Sequence, residues 1–75
     1  MKSMRILLDM SLKTREFIAI TQDSVHEILL KSGKYVVDAK SALGVYSLDL
    51  ANPVTVEIYA DDCEEVLEKL KKFQI

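Results

Sequence analysis

A chain of 75 residues with a net charge of −2 has room for one domain, spanning 1–75. Folding at this size buries only about 60% of the unfolded chain's surface, so few residues can be spared from the core. Hydrophobic residues at 49% and charged residues at 29% exclude a disordered or membrane-embedded chain, and basic residues cluster only at Lys69, Lys71 and Lys72, which excludes a nucleic-acid-binding surface.

The single cysteine, Cys63, rules out an intrachain disulfide and suits a small buried side chain in a reducing, cytoplasmic setting. The apolar run Ile6, Leu7, Leu8 is too short for a signal sequence or a membrane span and is interrupted by Asp9, so no membrane partner and no targeting segment is expected.

Taken in order, Ser3 to Asp9 alternates with Met4, Ile6 and Leu8 on one side, which predicts a first strand with one buried face. From Ser11 the period changes. Leu12, Phe17, Ile18 and Ile20 gather on a helix face with Ser11 or Thr14 as cap, although the β-branched residues of Phe17 to Thr21 suit an extended segment equally well. Val25 to Lys31 reads as a second strand containing His26, and Lys34 to Ala39 as a third. Ser32-Gly33 turns between them, Gly33 supplying the positive φ of a tight hairpin.

Ser41 suits the N-cap of a short helix that carries Leu43, Tyr46, Leu48 and Leu50 along one face. Asn52-Pro53 ends that pattern, because proline fixes its own φ and restricts the residue before it. Val54 to Ala60 alternates as a fourth strand. Asp61 or Asp62 is then expected to cap a last helix with Glu64 and Glu65 in its first turn, Lys69, Lys71 and Lys72 in its last, and Cys63, Val66, Leu67, Leu70 and Phe73 or Gln74 on its apolar face. Glu65 with Lys69 and Glu68 with Lys72 are the expected ion pairs along it. The order β-α-β-β-α-β-α with four one-face-buried strands predicts an α+β open-faced two-layer sandwich, a four-stranded antiparallel sheet with three helices on one face.

Lys40-Ser41, two apolar residues, Gly44-Val45, the large Tyr46 and then Ser47-Leu48 resemble the regulatory helix of HPr, the histidine-containing phosphocarrier family of the bacterial sugar phosphotransferase system. The resemblance runs from Val25 to Phe73 and is looser over Met4 to Asp23, where this chain is several residues shorter; it implies the same two-layer sandwich. In that family a histidine opening the first helix carries the phosphoryl group, inside a pattern of apolar residue, His, small residue, Arg, Pro. The matching residues here are Leu12, Lys13, Thr14, Arg15 and Glu16. The arginine position is kept as Arg15, whereas the carrier position holds Lys13 and the proline position Glu16. Imidazole has a ring nitrogen free to attack a phosphoryl donor near neutral pH; a lysine ammonium has no lone pair to offer.

The resemblance further implies that Ser41 matches a serine phosphorylated by an ATP-dependent kinase in some relatives. A phosphate on an N-cap serine faces free amides and adds charge beside a docking surface, while the plain alternative is a helix cap. Ala42, Leu43 and Tyr46 match the apolar patch through which the family meets its enzymes and regulators; packing on the sheet is the alternative, and it is the one expected for Leu48 and Leu50. His26 is the only histidine, and a satisfied strand residue explains it better than a substitute carrier, since no arginine lies near it in the chain. One Cys and one His make no metal site, a capped acidic first turn explains Asp61, Asp62, Glu64 and Glu65, and no cofactor is expected.

Three functional readings follow. The first is a non-enzymatic regulatory or protein-interaction module presenting the Ser41 to Leu48 helix, with Arg15 nearby, to phosphotransferase-system enzymes or regulators. The second is a working carrier that uses His26 or an atypical nucleophile, and the third is a domain that binds a small ligand or a copy of itself.

Overall fold

Alternating apolar residues bury Met4 and Ile6, Ile28 and Leu30, and Val54, Val56 and Ile58 on one face of a single sheet, and the helices cover that face. The computed structural model describes residues 1–75. Its elements are β1 (Lys2–Ile6), α1 (Ser11–Gln22), β2 (Glu27–Ser32), β3 (Tyr35–Asp38), α2 (Ala42–Tyr46), β4 (Val54–Tyr59) and α3 (Glu64–Leu70), with a 3-10 turn over Lys71–Phe73. The strands lie in the order β1-β4-β2-β3, every neighbour antiparallel. Val56 sits at the centre, opposite Met4 on one side and Leu30 on the other. This is the four-stranded antiparallel sheet with three helices that the alternation predicts.

One core of 16 buried hydrophobic residues joins the two layers. Phe17 from α1 and Phe73 from the last turn meet edge to face, with ring centroids 6.1 Å apart. Gly33 is the only residue with positive φ, 59°, and it occupies the first central position of the β2–β3 hairpin, as a type II′ turn asks; the turn is therefore Gly33-Lys34, one residue later than Ser32-Gly33.

Several boundaries and caps differ from the sequence expectations. β1 ends at Ile6 rather than Asp9: Leu7 donates its amide to the Phe73 carbonyl (3.0 Å) and Leu8 turns into the core. α1 is helical throughout, which settles the extended alternative over Phe17 to Thr21, and neither Ser11 nor Thr14 caps it. Met10 holds the N-cap position without a side-chain bond, while the Thr14 hydroxyl donates back toward the carbonyls of Met10 (3.0 Å) and Leu8 (3.4 Å). The buried stripe of α1 is Thr14, Phe17, Ile18 and Thr21, and Leu12 is left 68% exposed. Its hydroxyls bonded back to main-chain carbonyls, threonine fills core positions that a hydrophobicity count assigns to leucine.

α3 starts at Glu64 with Cys63, not Asp61 or Asp62, at its N-cap, because the core draws in the Cys63 side chain and its thiol reaches the Ala60 carbonyl (3.7 Å). Glu65 and Lys69 pair as expected (3.5 Å), but Glu68 takes Lys71 (2.7 Å) and Lys72 crosses to Glu16 on α1. The chain tightens into the 3-10 turn after Leu70, and this moves Lys72 away from Glu68.

Candidate functional site

α2 is five residues long, and of these only Val45 is buried. Its start is firmly held. Ser41 has extended backbone and its hydroxyl accepts a hydrogen bond from the Gly44 amide (3.2 Å), the N-cap geometry expected of it. The preceding turn is tied to the end of α1: Thr21 donates to the Ala39 carbonyl (2.8 Å), Gln22 to the Lys40 carbonyl (2.9 Å), and the Lys40 ammonium to the Ser24 carbonyl (2.6 Å). Gly44 packs over β3, where a Cβ would lie 3.2 Å from the Val37 Cβ, so a residue without a side chain lets α2 approach the sheet closely.

The result is a short helix pinned by its cap and by Val45, with the rest of its side chains facing outward. Leu43 is 86% exposed and Tyr46 47%, and Ala42 is exposed between Ser41 and Leu43. The helix ends at Tyr46, so Leu48 and Leu50 do not continue its face; both lie in the following loop and pack partly buried against the core.

Lys13 and Arg15 stand in the first turns of α1, at the end remote from Ser41. The eight residues from Lys13 to Thr21 span about 12 Å of helix. The Lys13 ammonium is half-exposed and pairs with Asp9 one turn earlier (3.5 Å), and the Arg15 side chain is exposed and enters no salt bridge. Glu16, at the position where the family resemblance calls for proline, is engaged by Lys72. Met10 and Leu12, close to Lys13 in the chain, are 53% and 68% exposed, although hydrophobic periodicity places Leu12 on the buried face of the helix. The signal that finds them is the Thr14-Phe17-Ile18-Thr21 stripe, whose i, i+3, i+4, i+7 spacing leaves Leu12 on the opposite side.

His26 is not in a strand: β2 begins at Glu27, and His26 sits half-buried in the preceding bend, its amide donating to the Ser24 hydroxyl (3.2 Å). It lies beyond the C-terminal end of α1, the end opposite Lys13. The cavity it lines, about 280 Å³, also carries Asp23, Asp62, Glu64 and Glu65, with Lys69 held by Asp23 (3.8 Å) and Glu65 (3.5 Å). Four carboxylates against the one Lys69 ammonium give this cavity a net negative lining, which disfavours a phosphoryl group. No group of three or more His, Cys, Asp or Glu side chains converges on a point that could hold a metal ion.

The uncovered sheet face carries one polar network. Glu57 accepts from the Tyr59 hydroxyl (2.9 Å) and pairs with Lys31 (3.1 Å), and these two contacts hold its carboxyl below the usual glutamate range while Glu57 raises the Tyr59 phenol. No helix of the protein is long and apolar enough to cross a membrane.

No family model and no curated protein matches the chain. Among solved structures it is similar to HPr-C-His from Thermoanaerobacter tengcongensis, 24% identical with a TM-score of 0.82, covering 96% of this chain and 89% of that one. It is likewise similar to the phosphocarrier protein HPr from Bacillus anthracis strain Ames, 25% identical with a TM-score of 0.73, covering 99% of this chain and 94% of that one. Strand order, helix placement and near-complete coverage agree, and the chain is HPr-like, with the HPr fold along almost its whole length.

Proposed function

We propose that this HPr-like chain is a non-catalytic regulatory or protein-interaction module that docks partners on Ala42, Leu43 and Tyr46 of α2 and does not relay phosphate. The observation that carries the reading is the contrast between two ends of α1. At the end where the resemblance locates the carrier imidazole stands Lys13, paired with Asp9, and the one histidine of the chain lies beyond the other end, in a cavity whose lining is net negative. The chain therefore keeps a surface for recognition and lacks a nucleophile for transfer.

Binding energy at such a patch concentrates in a few anchors, and Tyr46 offers both area and a hydroxyl while Leu43 offers a fully presented side chain. HPr phosphocarriers meet the proteins of their phosphotransferase system, and partners of that kind, in a cytoplasmic setting, fit a 75-residue domain with an apolar patch on a capped helix. Ser41 supplies a switch for the same surface. Its hydroxyl already faces the Gly44 amide, so a phosphate there meets the positive end of α2 and brings negative charge beside Ala42 and Leu43.

Incubation with phosphoenolpyruvate and the first enzyme of the phosphotransferase system tests the reading. The expected result is no acid-labile phosphate on the chain, together with binding of that enzyme or of a regulator that Leu43→Ala weakens at least about tenfold. Phosphate on His26 or on any other residue overturns it in favour of a working carrier.

A further inference from the structure

β3 is an edge strand whose outer side is paired with nothing in the sheet. The Ala39 amide donates to the carbonyl of Ile28, the residue opposite it (2.9 Å), and antiparallel pairing alternates, so Tyr35 and Val37 also turn their main-chain groups toward β2. Lys34, Val36 and Asp38 turn theirs outward. Of these, the Asp38 carbonyl is taken by the Ser41 amide (3.0 Å), which leaves the Asp38 amide, both groups of Val36 and the Lys34 carbonyl facing solvent. The side chains there are apolar as well: Tyr35 is 65% and Val36 50% exposed, and an open groove of about 910 Å³ lined by Tyr35, Val37 and Leu48 runs alongside on the helix face.

We propose that this edge pairs with the β3 edge of a second copy of the chain, antiparallel about a two-fold axis at Val36. The segment Lys34-Tyr35-Val36-Val37-Asp38 is self-complementary in that register and in no neighbouring one. Val36 meets Val36 as a hydrogen-bonded pair, each amide donating to the other carbonyl. Each Asp38 amide donates to the partner copy's Lys34 carbonyl. Tyr35 lies opposite Val37 on the helix face, and Lys34 opposite Asp38 on the open face, twice over by symmetry, so every cross-strand pair is apolar with apolar or plus with minus. A register shifted by two residues sets Lys34 against Val36 and leaves Asp38 unpaired. The interface is a single short strand pair, below about 1,200 Å², which is the size class of weak, transient contacts. The proposal does not rest on the function proposed above.

Heteronuclear spectra and sedimentation of the full chain from low micromolar to millimolar concentration test this. The expected result is a monomer–dimer equilibrium in which the Val36 and Asp38 amides shift most. Lys34→Glu, on an exposed turn, sets like charges opposite each other in both pairs and weakens the dimer roughly tenfold. A chain that stays monomeric at millimolar concentration overturns the proposal, as does a dimer whose shifts map to β1 or α2, or one indifferent to Lys34→Glu. Should Lys34→Glu fail to fold, the shift map of the unaltered chain decides alone.

Discussion

α1 and α2 lie against the same face of the same sheet, and the end of one is bonded to the start of the other, yet they are built on opposite terms. α1 has twelve residues and buries a four-residue stripe; α2 has five, buries Val45 alone, and holds Leu43 and Tyr46 in solvent. A five-residue helix cannot persist on propensity. α2 exists because a serine cap fixes its first turn, a glycine permits close packing on Val37, and three bonds from residues 21, 22 and 40 hold the turn that leads into it. The lesson is that α1 holds the molecule together and α2 is a presented surface, held by its N-terminal end.

Substitutions that treat the two helices alike on paper can break this contrast. Phe17→Ala removes a wholly buried ring and its edge-to-face contact with Phe73, and is expected to cost about 3–5 kcal/mol of unfolding free energy in urea titration. Thr21→Val leaves the Ala39 carbonyl without its donor at the junction of the helices, an expected loss of about 1–3 kcal/mol by the same measurement. Ser41→Ala removes the cap of α2 and is expected to cost about 1 kcal/mol, with amide exchange speeding first in residues 42–46.

The uncovered sheet face supplies a smaller effect that involves neither helix. The folded state lowers the Glu57 carboxyl, so Glu57 contributes stability above the ordinary glutamate pKa, and that contribution disappears as pH falls through the lower folded value. The stability difference between the unaltered chain and Glu57→Gln is therefore expected to shrink in acid, and a difference that grows there contradicts the assignment. Smallest of all, Leu43→Ala is expected to change stability by less than about 0.5 kcal/mol while reducing partner binding. A large destabilisation at Leu43 would mean that α2 carries structure as α1 does.

Much of this was legible in the residues. Strand alternation names the inward residues of the first and fourth strands, Met4, Ile6, Val54, Val56 and Ile58, Gly33 marks the hairpin, Ser41 marks the α2 cap, and Glu64, Glu65 and Lys69 orient α3. The candidate site was legible in part. Ala42, Leu43 and Tyr46 follow from a resemblance as an outward patch, with packing on the sheet as the alternative, and Leu12 is assigned to the core because leucine outranks threonine on any hydrophobic scale. Thr14 and Thr21 took the buried stripe because carbonyls of Leu8, Met10, Ile18 and Ala39 stood within reach of their hydroxyls.

Local order settled the four strands, the inward faces of the first and fourth, the last helix and the Ser41 cap, since period-two alternation, periods near 3.6 and capping act over a few consecutive residues. The fold in space settled the rest: the pairing of Thr21 with Ala39, 18 residues on, and of Glu16 with Lys72, 56 residues on, the removal of His26 to the far end of α1, and the open edge of β3. Those outcomes depend on which distant segments arrive side by side, and no short stretch of the chain contains that information.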